Sequence, residues 1–334
     1  MNAKDSLRDR IRRGEEIHGI PGLLLSALTP LYRTGMRIRL LGERVRCDAR
    51  VISFGNITTG GTGKTPAVIE RAQQEVAAGR RVAVLTRGYK GRKQRKREVA
   101  LLDAEDAALQ PDVIGDEPAL IARRVPGLVI ARSADRVMAA CDAIRDRGCD
   151  TLILDDGFQY VRLERDENIV LIDATNPFGN GHLLPCGTLR EPLRSLQRAT
   201  AIILTHCDQA HDANALRATL DRYCPQASVR TTRHAPTGLW NVNTGEKHPI
   251  DAIRGRTIAA ACAIGRPEGF FATLEGLGAR LAEKHSFGDH ESFDPSALGA
   301  GKWLVVTEKD AMRFRHPPLH TYALSMELQD WPLL

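Results

Sequence analysis

Residues 56–68, NITTGGTGKTPAV, place the strongest limit on how this chain can fold. An apolar, β-branched run, RVISFGNI, precedes them, and the helical pattern KTPAVIERAQQEVAAG follows. A glycine-rich loop therefore joins a buried strand to the N-terminus of a helix. In such a loop, backbone N–H groups can turn toward phosphate oxygens, and the helix dipole adds positive potential. The stretch predicts a phosphate-binding loop.

The loop departs at one position from the general pattern G-x-x-x-x-G-K-[ST], because Thr58 replaces the first glycine. The three later glycines remain, Lys64 can reach the β- and γ-phosphates, and Thr65 can ligate magnesium. A glycine turn without a ligand is the alternative, but it would not require this lysine and threonine. The predicted nucleotide-binding residues are Thr58, Thr59, Gly60, Gly61, Thr62, Gly63, Lys64 and Thr65.

From residue 49 onward, short apolar runs alternate with helical patterns. The runs include RVAVLTRGY, GLVIAR, CDTLILDDG, ENIVLIDA and ATAIILTHCD. This alternation predicts an α/β fold with a mainly parallel sheet covered by helices and ligands beyond the carboxyl ends of the strands. A chain of 334 residues has room for two domains. RTIAAACAIGRPEGFFATLEGLG and KWLVVTEKDAMRF predict a smaller second α/β unit from about residue 236.

Carboxylates stand at or near the ends of several predicted strands. TLILDD ends in Asp155 and Asp156, as does the second nucleotide motif of phosphate-loop enzymes, where an aspartate holds magnesium directly or through water. Asp116 and Glu117 precede the helical pattern PALIARR and could be only an N-cap and a first-turn acid. Capping alone would not require both carboxylates, so a chemical role stays open beside it. Asp173 is expected to be a plain strand terminus.

THCD, residues 205–208, is similar to the N/T-K-x-D motif that reads guanine, but His206 stands where that motif has lysine. We therefore infer no base preference from it and favour a strand leading into a loop. The seven cysteines are odd in number and scattered, without metal-binding spacing. They indicate free thiols in a reducing cytoplasm.

The N-terminal 46 residues lack the short basic stub and apolar core of a signal peptide. Leucines between residues 23 and 31 are followed by five arginines between residues 33 and 46, and no apolar run approaches the ~18 residues of a spanning helix. A helix here could lie in the membrane interface with its arginines at lipid phosphates. It could equally pack on its own domain, and amphipathicity alone does not separate the two.

The segment RGYKGRKQRKR, residues 87–97, contains seven basic residues, and the net charge of the whole chain is +6. It has no recognised nucleic-acid-binding motif and no aromatic residue apart from Tyr89. A solvated loop is the simplest interpretation. If the segment has a ligand, a phosphorylated acceptor or an anionic bilayer fits better than nucleic acid.

Seven motifs together resemble those of the tetraacyldisaccharide 4'-kinases, bacterial enzymes of lipid A synthesis. They are, in order, GNITTGGTGKTP, TRGY, GDEP, DDGFQ, LPCGTLREP, GDHESF and VVTEKDA. The resemblance covers nearly the whole chain, and Thr58 is also the pattern of that family. It implies a phosphate-loop domain at residues 47–235, a strand linker and small domain at 236–334, and a membrane-associated helical segment at 1–46. The reaction implied is transfer of the γ-phosphoryl group of ATP to the 4'-hydroxyl of an acylated glucosamine disaccharide 1-phosphate.

The resemblance also implies roles for individual residues. Asp116 would be the base for the sugar hydroxyl, supported by His290, and Lys64 would act on the transferring phosphoryl group. Glu117 would join Thr65, Asp155 and Asp156 around Mg²⁺. The residues implied to contact substrate or phosphate are Arg87, Tyr89, Arg136, Gln159 and Arg190. The protein is expected to be a monomer on the cytoplasmic face of the inner membrane and not to bind nucleic acid.

Two other classes of protein share part of this pattern. A soluble nucleotide-dependent ligase or metallochaperone GTPase would have the glycine-rich loop without needing the N-terminal leucines and arginines. A membrane-recruited NTPase switch could use that segment without phosphorylating a substrate. Transfer of phosphate to lipid distinguishes the kinase from both.

Overall fold

A computed structural model describes most of the chain. The described residues are 10–11, 15, 17–88, 98–104, 111–207, 212–288, 291–299 and 301–331. Two predicted site residues, Tyr89 and His290, lie outside these ranges. Residues 89–97 of the basic segment also lie outside them.

The part of the chain before residue 233 begins with one long helix and continues as alternating strands and helices. The helices are α1 (Gly19–Leu40), α2 (Lys64–Ala77), α3 (Pro111–Ile114), α4 (Asp116–Arg124), α5 (Arg136–Arg147), a 3-10 turn (Leu193–Arg198) and α6 (Ala213–Tyr223). The strands are β1 (Arg50–Gly55), β2 (Val82–Thr86), β3 (Ala100–Asp103), β4 (Val129–Arg132), β5 (Thr151–Leu154), β6 (Glu167–Asp173) and β7 (Ala201–Thr205).

A long strand, β8 (Ser228–Asn241), leads into the second part of the chain. Its strands are β9 (Lys247–Pro249), β10 (Thr257–Cys262), β11 (Arg280–Ser286), β12 (Trp303–Thr307) and β13 (Thr321–Gln329). Its helices are α7 (Pro267–Gly276) and α8 (Glu308–Ala311), with 3-10 turns at Ile250–Ile253 and Pro295–Ala297.

Within the described residues, thirteen strands form one continuous sheet in the order β11-β10-β12-β13-β8-β7-β6-β1-β5-β2-β4-β3, with β9 paired to β8. Strand β1 lies between β5 and β6 and is parallel to both. Antiparallel pairing occurs only where β3 meets β4 and where β8 meets β9 and β13 among these strands. The predicted α/β fold with a mainly parallel, phosphate-loop type sheet is confirmed.

Strand β8 belongs to both halves of the sheet. Its first residues pair in parallel with β7 as far as Thr232, and from Arg233 onward it pairs antiparallel with β13. We call the residues before this change, 47–232, the N-terminal unit and those after it, 233–331, the C-terminal unit. The predicted domain boundary at residue 236 lies inside the strand, three residues beyond the change of partner, and the division into domains stays a prediction.

Both faces of the central sheet are buried, which explains the continuous apolar runs of its strands. On one face, Ile52 and Ile153 pack with Val68 of α2 and Ile121 of α4. On the opposite face, alternate strand residues such as Val51 pack against three alanines of α5. Alternation within β1 therefore serves both helix layers, and the loops at its carboxyl end lie between them.

Helix α1 contributes little to this core, because Met36 is its only buried residue. Large apolar side chains along the helix are exposed, including Leu23 at 73% and Leu31 at 71%. One edge contacts the N-terminal unit, where the Tyr32 hydroxyl donates a hydrogen bond to the carbonyl of Arg190. A search of the described residues finds no helix with the length and apolar content needed to cross a membrane.

Candidate active site

The phosphate-binding loop lies between β1 and α2, as predicted. Helix α2 begins at Lys64, and its N-cap Gly63 has φ of 84°, a left-handed conformation that glycine adopts without strain. The segment 188–190 holds the loop in place. Thr59 N–H donates to the Thr188 carbonyl at 2.8 Å, and Arg190 N–H donates to the Ile57 carbonyl at 2.8 Å.

The same segment accounts for Thr58 in place of glycine. Thr58 forms an isolated antiparallel bridge with Leu189 and is buried. Its backbone is thus paired with a neighbouring segment, and β-branched residues suit such positions. The loop therefore does not need glycine at its first position.

Asp156 forms ion pairs with two basic side chains of the candidate site. Arg190 Nη1 contacts both carboxylate oxygens, at 2.9 and 2.8 Å, and Lys64 Nζ lies 3.5 Å from Oδ1. Burial raises the pKa of Asp156, but Lys64 and Arg190 outweigh it and hold this pKa at about 2. Asp156 is therefore an anion at neutral pH, and it holds Lys64 at the start of α2.

Asp155 has a contrasting environment one residue earlier. It is 5% exposed, and among the described residues it has no ion-pair partner. Burial, and then the negative charges of Glu117 and Asp156, raise its pKa to about 7. The negative charges of Glu117 and Asp156 next to the buried Asp155 favour a bound cation at this edge of the sheet.

Oxygen donors of this kind fit Mg²⁺, which usually keeps waters and phosphate oxygens beside one or two carboxylates. Within the described ranges, no three His, Cys, Asp or Glu side chains form a metal-binding group by themselves. The side chains at this edge therefore suit a metal ion that arrives with a nucleotide better than a permanent all-protein site.

Asp116 and Glu117 form the first turn of α4. Gly115 is the N-cap, so the interpretation of Asp116 as an N-cap is wrong, and both acids are first-turn residues. Their partners come from the segment that begins with α8 in the C-terminal unit. Arg313 Nε lies 3.1 Å from Asp116 Oδ2, which Nη2 also contacts, and Lys309 Nζ lies 2.8 Å from Glu117 Oε1.

Arg136, at the start of α5, is also close to the carboxylates. It is 8% exposed, and its guanidinium lies 5.2 Å from the centre of the Tyr160 ring. Burial lowers its pKa, and the nearby positive charge of Arg87 lowers it further. Gln159 Nε2 donates to the Asn56 carbonyl at 3.0 Å, and its Oε1 accepts a hydrogen bond from Arg190 at 3.4 Å.

The structure thus brings together predicted residues from four separate motifs: the phosphate loop, GDEP, DDGFQ and LPCGTLREP. Asp173 is more than a strand terminus, because it also contacts Arg266 of the C-terminal unit at 3.1 Å. The sequence patterns predict no role for Lys309, which lies within VVTEKDA, or for Arg313, which lies two residues beyond it. In the helix that KWLVVTEKDAMRF predicts, their i, i+4 spacing would place both residues on one face, although the observed helix ends at Ala311.

Comparison with known proteins supports one family. The profile of the family described as Tetraacyldisaccharide-1-P 4'-kinase matches residues 22–331. The tetraacyldisaccharide 4'-kinase of Anaeromyxobacter dehalogenans strain 2CP-C is 43% identical over 309 residues, covering 88% of this chain and 81% of the relative. The enzyme of the same name from Geobacter metallireducens is 37% identical over 327 residues, covering 92% and 94%.

A solved structure also resembles the whole chain. It is the "apo" form of LpxK from Aquifex aeolicus in complex with ATP, with a TM-score of 0.73 and 27% sequence identity. The match covers 92% of this chain and 95% of that protein. The similarity thus extends over both units and not only over the phosphate-loop region.

Proposed function

Because the chain belongs to the tetraacyldisaccharide 4'-kinase family, we propose roles for its described residues in the reaction of that family. The protein is a kinase that transfers the γ-phosphoryl group of ATP to the 4'-hydroxyl of tetraacyldisaccharide 1-phosphate in lipid A synthesis. The alternatives of an NTPase switch, a soluble ligase or a metallochaperone GTPase are not favoured.

The roles rest on one observation: Lys64 of the phosphate loop, Asp156 and Arg190 meet in a single ion-pair cluster next to Asp155. Residues 58–65 would bind the phosphates of ATP through backbone N–H groups. Lys64 would leave Asp156 for the γ-phosphoryl group, whose oxygens carry charge in the transition state. Arg190 and the buried Arg136 would add positive charge there.

Thr65, Glu117, Asp155 and Asp156 would supply oxygen ligands to Mg²⁺. The ion would neutralise phosphate charge and orient the transferring group. Among these residues, Asp155 is best suited to bind a cation directly, because burial beside two carboxylates disfavours its ionisation when no cation is bound.

Asp116 would accept the proton of the 4'-hydroxyl, assisted by His290. The sugar oxygen then bonds to the γ-phosphorus, the bond from that phosphorus to the β,γ-bridging oxygen breaks, and ADP leaves with the electron pair. Arg87, Tyr89 and Gln159 would contact substrate or phosphate. Burial of Asp116 at 6% exposure limits competition from bulk water for its carboxylate.

A direct assay tests the assignment. The purified protein is incubated with γ-labelled ATP, Mg²⁺ and tetraacyldisaccharide 1-phosphate, and the lipids are separated. We expect a labelled bisphosphorylated lipid in proportion to the ADP formed. Release of free phosphate without labelled lipid would refute the kinase role and favour an NTPase switch.

We further propose that the protein is a monomer held peripherally on the cytoplasmic face of the inner membrane by α1. The exposed leucines of that helix support this, because a helix packed on its own domain would bury them. The arginines that follow them would contact anionic headgroups.

Replacing Leu23, Leu24 and Leu31 together with aspartate should weaken binding to phosphatidylglycerol-containing vesicles about 10-fold or more, because burial of apolar surface drives interfacial binding. ATP binding should not change, since these side chains lie outside the phosphate-loop region. Co-sedimentation measures vesicle binding, and calorimetry measures ATP binding. Leu319→Asp, at a 76% exposed leucine of the C-terminal unit, is the matched control. Equal vesicle binding by the triple variant and this control would contradict the role of α1.

A further inference from the structure

Arg313 joins three segments that the proposed chemistry needs in one place. Its side chain is 14% exposed and lies between the N-terminal and C-terminal units. Nε and Nη2 contact Oδ2 of Asp116, whereas Nη1 donates to the carbonyl of Glu291 at 3.2 Å and to Asp310 Oδ1 at 3.1 Å. One guanidinium thus links the first turn of α4, the GDHESF motif and the segment beginning with α8.

The contact with Glu291 is informative because this residue directly follows His290. Binding of the Glu291 carbonyl by Arg313 fixes the main chain of Glu291 relative to Asp116. The segment is also held from within, since Gly288 N–H donates to Glu291 Oε2 at 2.7 Å. Arg313 therefore sets the position of Glu291 of the GDHESF motif relative to the proposed base.

The guanidinium is itself held in a defined orientation. Asp310 is fully buried, and its Oδ2 accepts hydrogen bonds from Ala263 N–H at 3.1 Å and from the Thr307 hydroxyl at 2.6 Å. Oδ1 of the same carboxylate receives Nη1 of Arg313. The planar guanidinium presents several donors in fixed directions, so anchoring one of them aims the others.

Asp116 is correspondingly fixed. Its Oδ2 receives two guanidinium nitrogens, and its Oδ1 accepts the Glu117 backbone N–H at 3.2 Å. A carboxylate aimed in this way does not have to be reoriented when the hydroxyl arrives.

We infer that Arg313 is a positioning residue for phosphoryl transfer: supported by Asp310, it aims the carboxylate of Asp116 and holds Glu291 of the GDHESF motif. This inference rests on the proposed role of Asp116 as the base. It gives the C-terminal unit a function in the chemical step, although the phosphate loop and its cation cluster lie entirely in the N-terminal unit.

The chain offers a matched control in Arg124. This arginine is 16% exposed, lies on the same helix as Asp116 and pairs with Glu308 at 2.9 Å and Glu327 at 3.0 Å. Like Arg313, it joins the two units through ion pairs. These two partners are neither Asp116 nor part of the GDHESF motif, so removal of Arg124 tests the loss of interface ion pairs.

The experiment compares Arg313→Gln with Arg124→Gln in the full chain. We expect Arg313→Gln to lower kcat for lipid phosphorylation about 10- to 100-fold, because small misplacements of catalytic groups have effects of this size. KM for ATP should stay within about 3-fold, since uniform binding of the nucleotide is not altered. Arg124→Gln should change kcat by less than about 3-fold below its unfolding temperature.

Two further variants keep the test decisive if Arg313→Gln folds poorly. Arg313→Lys retains the positive charge but not the planar set of guanidinium donors. We expect its kcat to lie between those of the unaltered protein and Arg313→Gln. In Arg313→Ala, added methylguanidinium should restore part of kcat, whereas Arg124→Ala should show no such rescue. Combining Arg313→Gln with Asp116→Asn should cost less than the product of the two separate losses.

Equal kcat values for Arg313→Gln and Arg124→Gln, or no rescue by methylguanidinium, would overturn the inference. A rise in kcat would overturn it too, because the ion pair would then be a latch on the resting enzyme. Absence of lipid phosphorylation by the unaltered protein would instead reject the kinase role itself. The two failures are therefore distinguishable.

Discussion

Asp156 and the Asp116–Glu117 pair of the candidate site bind basic side chains from different parts of the molecule. Asp156, at the end of β5, binds Lys64 and Arg190, both of which belong to the N-terminal unit. Asp116 and Glu117, at the start of α4, bind Arg313 and Lys309 from the C-terminal unit. The phosphate-binding half of the site is thus assembled within one unit, whereas the half that would activate the acceptor hydroxyl is assembled between two.

This difference indicates which part of the site would change if the two units moved relative to each other. They share β8, so a rotation would occur about a strand that belongs to both halves of the sheet. Such a rotation changes the distance between α4 and the segment after β12 but leaves the ion pairs of Lys64, Asp156 and Arg190 within one unit. Nucleotide binding and acceptor activation should therefore respond differently to changes at the interface.

The largest effect is expected from Lys64. Replacing it with alanine should lower kcat about 100- to 1,000-fold, because a preorganised charge at the transferring group is lost. The melting temperature should change little, since Lys64 pairs with a partly exposed Asp156 at the moderate distance of 3.5 Å. Labelled-lipid assays and thermal unfolding measure the two quantities.

Lys302→Ala is the matched control for Lys64→Ala. Lys302 pairs with Glu283 at 2.9 Å in the C-terminal unit, away from the phosphate loop. Near-normal turnover of Lys64→Ala, or an equal loss in Lys302→Ala, would remove the phosphate loop from the mechanism and end the comparison between the two halves.

Asp116→Asn should also be severe, with kcat lowered about 100-fold or more, because the amide keeps the shape of the side chain but cannot accept the proton. Affinity for ATP should change little, and added Mg²⁺ should not restore turnover. Glu117→Gln, Asp155→Asn and Asp156→Asn should instead weaken metal-dependent nucleotide binding, with partial recovery at high Mg²⁺. His290→Ala should resemble Asp116→Asn more weakly.

Turnover and ATP affinity are measured for each variant over a Mg²⁺ titration. Restoration of Asp116→Asn by Mg²⁺ would make it a metal ligand rather than a base. The acceptor half and the nucleotide half of the site would then not be chemically distinct.

Much of the N-terminal unit could be predicted because its signals are local. Loop, strand and helix follow one another within residues 50–77, and TLILDD carries its carboxylates at the end of its own strand. The predicted strands RVAVLTRGY, GLVIAR, ENIVLIDA and ATAIILTHCD are all present in the sheet. Apolar runs on a sheet buried on both faces leave little freedom for another fold.

The partners of Asp116 and Glu117 could not be predicted in the same way. Lys309 lies 192 residues from Glu117 and Arg313 lies 197 residues from Asp116, and they meet where β8 connects the two halves of the sheet. Strand β13 pairs antiparallel with β8, and tertiary packing rather than local sequence sets this pairing. Sequence patterns identified the acids but not the cations that neutralise them.

The smallest expected effect is on stability, and it separates the two neighbours Asp155 and Asp156. The pKa of Asp155 is raised to about 7 by burial and by Glu117 and Asp156, so ionisation of this group opposes folding. The unfolded chain then binds fewer protons than the folded protein between pH 4 and pH 7, and stability falls as pH rises through that window. Asp155→Asn removes this cost, and in a chelator at pH 8 it should stabilise the protein by about 1–3 kcal/mol.

Denaturant unfolding at pH 8 and at pH 5, with and without Mg²⁺, measures this effect. The gain from Asp155→Asn should shrink at pH 5, where the aspartate is already protonated, and it should shrink with Mg²⁺ and ATP, which favour the anion. Asp156→Asn should have the opposite sign at both pH values, because the pKa of Asp156 lies at about 2 and the change leaves Lys64 and Arg190 without their anion. Its side chain is 41% exposed, so this loss should be modest. Destabilisation by Asp155→Asn at pH 8 would show that a protein cation already neutralises this carboxylate, and the nucleotide half of the site would then not need the metal ion.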